Sequence, residues 1–334
     1  MNKACVPVTI RLRVLALAGA WLLLAPWTIV AAPQTALPQG DGGRVPMFLP
    51  QMTWPEVADY LRGSDMVLVP VGSTEQHGPH LPLGSDTIDA QAVGLRISQK
   101  TGVLVAPVLS VGISDYHKLP GTISVTPETF EAVLFDAAQS LVRQGFRRIL
   151  FYNGHGGNTP SLAHVVNRIN RETSATAVDL SRLDPPTTDP LLTKLKLDVH
   201  AGVEETSTML FHSGSLVQMS KAENPRLTLP ARLRAVYDTT QGETLKVLDW
   251  AMAFLPESTG KRASTPEMSN NGVVTDGDLA TASAELGRAR VDARVKAAVE
   301  FLEIWRTLER DSPSDARQSF TSAAPTSVPL GTKK

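Results

Sequence analysis

Cysteine is almost absent: Cys5 is the one thiol in 334 residues, and it precedes a long apolar run. One thiol forms no intrachain disulfide, so a buried core must hold this fold. With Cys5 inside a segment expected to be removed, thiolate catalysis and thiolate-bound zinc are excluded from the mature chain. Any metal must therefore take nitrogen and oxygen ligands. A charge of one sign is lacking too, with 32 Lys and Arg against 33 Asp and Glu. No strong field would draw in nucleic acid or an anionic membrane surface, so the expected partner is a small molecule. Internal repeats and a glycine-rich phosphate loop of the usual spacing are also missing. What remains is 42% hydrophobic and only 19% charged, enough for one substantial core.

The ends differ from the middle. Lys3, Arg11 and Arg13 precede an uncharged apolar run from Val14 to Ala32, and Ile29-Val30-Ala31 ends in a small residue. This is the layout of a secretory signal over residues 1–31, which predicts a periplasmic or secreted protein; a retained anchor helix is the alternative. Residues 32–45 are rich in Pro, Gly and Gln and read as a linker. Residues 311–334, rich in Ser, Pro, Thr and Ala, read as a disordered tail. The span 46–310 is then one catalytic domain.

Within it, apolar β-type runs at Met66 to Val71, Val103 to Val108, Ile149 to Tyr152 and Ala175 to Leu180 alternate with helical patterns. Such alternation predicts an α/β fold with a mainly parallel sheet covered by helices. Thr126-Pro127 starts and Gly145 stops a helix over Pro127 to Gln144. Asn158-Thr159-Pro160 opens another. Asp278 to Glu309 reads as a long amphipathic helix with Leu286, Val295, Leu302 and Trp305 among its buried positions.

Three polar clusters could carry chemistry. Glu75, His77, His80 and Asp86 crowd the segment after the Met66 strand, and His155 sits in Asn153-Gly154-His155-Gly156-Gly157-Asn158 after the Ile149 strand. In an open parallel sheet, ligands gather beyond the carboxyl ends of the strands, so both clusters lie where a site belongs. The third, His200-Ala201-Gly202-Val203-Glu204-Glu205-Thr206-Ser207, leads into a helical pattern. Histidine nitrogens and carboxylate oxygens suit Zn, Mn or Fe, and a carboxylate can bridge two ions. Singly, each such residue is more often a turn or surface group. His164 and His212 lack a glycine-rich context and read as ordinary surface or packing residues; Asp89 and Asp115 could cap or turn the chain.

Glu75-Gln76-His77-Gly78-Pro79-His80-Leu81-Pro82, Asp86, Gly121-Thr122-Ile123-Ser124, the His155 cluster and His200-Ala201-Gly202-x-x-Glu205-Thr206-Ser207 resemble, in order, the motifs of the creatininase (creatinine amidohydrolase) family. The resemblance spans roughly Trp54 to Glu309. It implies a three-layer α/β/α subunit, commonly assembled into homo-hexamers, with two divalent ions (Zn, Mn or Fe) that open cyclic amides. It also implies that Glu75 and His155 hold one ion, that His77 holds the other, and that Asp86 bridges them. Creatininase takes its last ligand two residues after the histidine matching His155, where this chain has Gly157, so Glu205 is expected in that role with Glu204 competing. His200 matches the catalytic histidine, a general acid for the leaving nitrogen, and His117 could bind substrate. The Gly157 departure argues against creatinine itself. A formamide, another lactam or a peptide-derived amide is the enzymatic rival, and an exported metal- or solute-binding protein without turnover is the rival from another class. Of the two glutamates, the one that is not a ligand is expected to be solvated.

Overall fold

The computed structural model describes residues 47–229, 231–239 and 267–310. The expected signal, linker and tail lie outside these residues. Four parallel strands run in the order β2-β1-β3-β4: β1 (Met66–Val71), β2 (Leu104–Val105), β3 (Arg148–Asn153) and β4 (Thr176–Asp179). In the central pair Val67 faces Ile149 and Val71 faces Asn153. Every β1 residue is buried, as expected where helices cover both faces of a parallel sheet.

Strand alternation divides the core in two. Val67, Val69 and Val71 pack with Phe130 and Leu134 of α3 (Pro127–Gln144), Leu162 and Val165 of α4 (Thr159–Glu172), and Tyr60 of α1 (Trp54–Gly63). Met66 and Leu68 pack on the other side with Val93 and Ile97 of α2 (Ser85–Thr101) and with the long C-terminal helix. Full burial of each Val or Leu is worth roughly 1.5–3 kcal/mol, so both faces contribute heavily. This is the three-layer α/β/α arrangement expected. Two further helices, α5 (Val203–Ser213) and α6 (Ala231–Thr239), precede α7 (Ala284–Arg310). Among the described residues no helix is long and apolar enough to cross a membrane.

Local chemistry sets the boundaries. At α3, Thr126 Oγ1 accepts from the Thr129 N–H at 3.3 Å, Pro127 fills the first turn, and Gly145 ends the helix at φ +115°. At α1, the Glu56 carboxylate accepts from the backbone N–H and the hydroxyl of Thr53, closing a capping box. Two expectations shorten. The run Val103 to Val108 yields only Leu104–Val105, because Pro107 has no N–H to donate to a ladder. Beyond it, Leu109 touches β1 through a single bridge to Val71. The last helix begins at Ala284 and not Asp278, since the Asp278 carboxylate caps the 3-10 turn Leu279–Thr281 by accepting from the Ala280 N–H. Leu286, Val295 and Leu302 are buried as expected, and Trp305 is partly so. A small antiparallel pair, β5 (Asp198–His200) with β6 (Val274–Thr275), was not foreseen.

Candidate metal centre

The carboxyl ends of β1 and β3 supply most of the site. Glu75 and His77 lie in the loop after β1, and Asp86 sits in the first turn of α2. His155 follows β3, His200 ends β5, and Glu205 stands in the first turn of α5. Asn158 ties these loops together: its side-chain amide donates to Gly72 O at 3.0 Å and its carbonyl accepts from the Ile113 N–H at 3.0 Å. A Cβ at Gly154 would press on the Asp86 carbonyl, so only glycine lets the His155 loop approach α2 this closely. Ala201 adopts φ +49°, an unusual conformation for a residue with a Cβ, and its N–H donates to Glu205 Oε2 at 2.6 Å.

All seven residues singled out from sequence converge. Asp86 faces two imidazoles at once, with Oδ1 3.1 Å from His77 Nε2 and Oδ2 3.0 Å from His155 Nδ1. Glu205 Oε2 stands 3.7 Å from His77 Nε2. Glu75 Oε1 has three imidazole nitrogens around it: His155 Nδ1 at 3.4 Å, His200 Nδ1 at 3.5 Å and His117 Nε2 at 3.6 Å. Glu75, Asp86, His117, His155, His200 and Glu205 line a cavity of about 140 Å³ whose other wall is formed by Val199, Met268 and Val274, while His77 lines a second one with Asp86 and Glu205.

Behind each ring lies an acceptor for its outer N–H. His77 Nδ1 donates to Glu75 O at 3.2 Å and His155 Nε2 to Ile113 O at 2.9 Å. His200 Nε2 donates to Gln76 O at 2.6 Å. The inner nitrogen of each ring therefore turns its lone pair toward carboxylates, an arrangement of acceptors facing acceptors that a cation resolves. Two atoms bonded to one ion at about 2.1 Å, at a tetrahedral angle, stand about 3.4 Å apart. The separations of 3.4 to 3.6 Å around Glu75 match that edge better than a hydrogen bond. Glu75 Oε2 and Asp86 Oδ2 are buried and make no hydrogen bond. Three overlapping sets, Glu75/His77/Asp86, His77/His200/Glu205 and Glu75/His117/His200, bring ligand atoms within 4.8 Å of one another. The residues present fit divalent metal.

Without a cation, protons hold the cluster together. Burial opposes charge on His77, but Asp86 and Glu205 outweigh it and push its pKa up to about 10. Burial likewise disfavours charge on His155, and Glu75 and Asp86 raise it well above the usual histidine range. Burial pushes Glu205 up to about 7. His200 goes the other way: burial, with His117 and His77 adding to it, holds it well below the usual range.

Glu204 is not solvated, contrary to expectation. Adjacent helix residues point about 100° apart. While Glu205 faces the cavity, the Glu204 carboxylate accepts from Arg294 Nη2 at 2.6 Å and lies 3.0 Å from Arg290 Nε. His212 pairs with Asp89 at 3.1 Å, and exposed His164 with Glu131. Two participants escaped the sequence reading. Glu267 accepts from His117 Nδ1 at 2.6 Å, and Tyr116 OH lies 3.3 Å from His155 Nε2. Glu267 carries no glycine-flanked histidine beside it to mark it.

Residues 50–302 match the creatininase family, described as creatinine amidohydrolase. A mycofactocin precursor peptide peptidase of Mycolicibacterium smegmatis is 40% identical over 153 residues, covering 43% of this chain and 57% of that protein. A 3-dehydro-scyllo-inosose hydrolase of Thermotoga maritima is 35% identical over 112 residues, covering 33% and 36%. In these two matches the chain spans about half and about a third of the relative's length. A creatinine amidohydrolase of Pseudomonas putida is 30% identical over 205 residues, covering 55% of this chain and 79% of that protein. The crystal structure of a creatininase shares the fold, with TM-score 0.61 and 23% identity over 78% of this chain and 98% of that one. Zn–Zn and Mn forms of creatininase match at TM-scores of 0.60 and 0.55. The chain thus belongs to the creatininase family of hydrolases.

Proposed function

We propose that the chain is an exported, metal-dependent amidohydrolase that cleaves a C–N bond of a small amide. The observation that carries this reading is Asp86, which turns one oxygen to His77 and the other to His155 and so stands as a bridge between two ligand sets. Glu75, Asp86 and His155 would hold one ion, and His77, Asp86 and Glu205 the other. Bound there, divalent ions would polarise a carbonyl and bring the pKa of water toward about 7.

The chain's own groups prepare the rest. Glu75 O and Ile113 O fix the tautomers of His77 and His155. His200, against Glu75 and within the same cavity with its Nδ1 lone pair facing inward, is the proposed proton carrier: it takes a proton from the attacking water and passes it to the leaving nitrogen, which departs poorly until protonated. Val199, Met268 and Val274 give the cavity an apolar wall.

Among substrates, a peptide-derived amide is favoured over creatinine. The relative at 40% identity is named a precursor peptide peptidase, and Gly157 stands where creatininase carries an acidic ligand. Export rests on Lys3, Arg11 and Arg13 ahead of the uncharged run, and N-terminal sequencing of secreted protein tests it. For the reaction, Zn²⁺- or Mn²⁺-reconstituted protein is assayed on short peptides, formamides, lactams and creatinine. Turnover of one of the first three with slow or no creatinine cleavage is expected. Metal-loaded protein that turns over none of them would defeat the hydrolase reading.

A further inference from the structure

His117 lies in the loop between β2 and α3, outside all three clusters that mark the site. Its ring is buried, and its Nε2 has no hydrogen-bond partner. Its Nδ1 is 2.6 Å from Glu267 Oε2. Glu267 is itself held from several directions: Oε2 accepts from the Gln76 side-chain amide at 2.9 Å, and Oε1 accepts from the backbone N–H groups of Lys118 and Leu119. A carboxylate so fully engaged as an acceptor takes the Nδ1–H, which leaves the lone pair on Nε2. That nitrogen points at Glu75 Oε1, 3.6 Å away, too long for a hydrogen bond and close to the edge between two ligands of one ion.

From this geometry we infer that His117 Nε2 is an additional ligand of the metal centre on its Glu75 side, with Glu267 as the residue that positions it. The inference rests on the metal-dependent reading above. A metal-binding imidazole backed by a carboxylate is the usual arrangement, in which the outer partner fixes the tautomer and raises the basicity of the inner nitrogen. His200 Nδ1 faces the same Glu75 oxygen at 3.5 Å, but its outer nitrogen rests on the neutral Gln76 carbonyl, a weaker partner than a carboxylate. The arrangement gives the Glu75 ion nitrogen ligands from two loops and leaves His200 to the proton.

Zn²⁺ affinity of the full chain, measured by competition with a chelating dye, tests the assignment, together with the visible spectrum of Co²⁺-substituted protein. His117→Ala and Glu267→Gln are each expected to weaken one ion by about 10- to 100-fold while sparing the other, and to alter the Co²⁺ bands. Added imidazole should restore the weakened ion in His117→Ala and have no effect on Glu267→Gln. Glu267→Gln preserves shape, so it reports on the site even where His117→Ala folds poorly. Unchanged Zn²⁺ affinity and Co²⁺ spectrum in a folded Glu267→Gln and His117→Ala pair would overturn this inference alone. Wild-type chain that binds no Zn²⁺ would overturn the metal-dependent reading as well.

Discussion

Glu204 and Arg294 form a 2.6 Å ion pair on the side of α5 turned away from the cavity. With Arg290 also on Glu204, one helix turn is divided between two tasks: Glu205 faces the imidazole cluster and Glu204 clamps α5 to α7. The two adjacent carboxylates should therefore fail in different ways. Glu205→Gln is expected to lose one ion per chain, while its cation-free form unfolds close to cation-free wild type. Glu204→Gln should keep both ions but lose about 1–3 kcal/mol of stability, because it leaves the two guanidinium groups of Arg290 and Arg294 short of a half-buried carboxylate. Elemental analysis and urea unfolding of both variants decide this, and the reverse pattern would sink the assignment.

Gly157 marks how tightly the His155 loop is packed. A Cβ there would collide with the carbonyl of Ile113 and with His155 Nε2 itself. Gly157→Ala is expected to cost about 1–3 kcal/mol through overpacking and to lower metal content by displacing the His155 ring. Gly63, whose Cβ would meet open space, supplies the control: Gly63→Ala should be neutral or slightly stabilising. Equal behaviour of the two variants would show that the close approach is not required.

Metal binding should release protons. With its pKa pushed up to about 10 in the cation-free chain, His77 carries a proton at pH 7 that it must give up to act as a ligand. Glu205, pushed up to about 7 by burial, is partly protonated there as well. Apparent Zn²⁺ affinity should accordingly rise with pH from 6 to 9, by about tenfold per unit for each proton displaced. Calorimetry in buffers of different ionisation enthalpy measures the protons released, and a pH-independent affinity would contradict the assignment.

His80 should make the fold acid-sensitive. Its Nε2 bonds the Thr206 hydroxyl at 2.8 Å, and burial, with the charge of His77, pushes its pKa down to about 4. A histidine whose folded pKa lies below its unfolded 6.5 keeps the native state neutral while the unfolded chain takes up a proton. Stability is then fully present above pH 6.5 and drains away as pH falls toward 4. In His80→Gln this part of the decline should vanish, seen as a flatter plot of urea midpoint against pH between those limits. Parallel plots for variant and wild type would exclude His80 as the cause.

How much of this was written in the chain depends on the residue. The β1 and β3 loops were legible because each couples an apolar run to a dense polar cluster with glycines, and Glu75, His77, Asp86 and His155 all meet in one cluster. The α3 boundaries were legible because Thr126, Pro127 and Gly145 each act within one turn. By contrast α2 starts at Ser85, after Gly84 and with no side-chain cap, so no local signal marks its beginning. Glu267 acts through contacts 148–191 residues away in sequence, to Leu119, Lys118, His117 and Gln76. No local pattern can announce a partner at that distance. Glu204 misled for the same reason, since the arginines that bury it are about 90 residues downstream on α7.

The wide scatter of the cluster along the chain has a kinetic consequence. Glu75, His155 and Glu205 meet only after β1, β3 and α5 have docked, and contacts of such long range form late because loop-closure entropy must first be overcome. A cation that binds the finished cage holds the native state without assisting the folding nucleus. Loading the centre should then slow unfolding while leaving the folding rate nearly unchanged, which makes the ions a latch against opening and not a template for assembly.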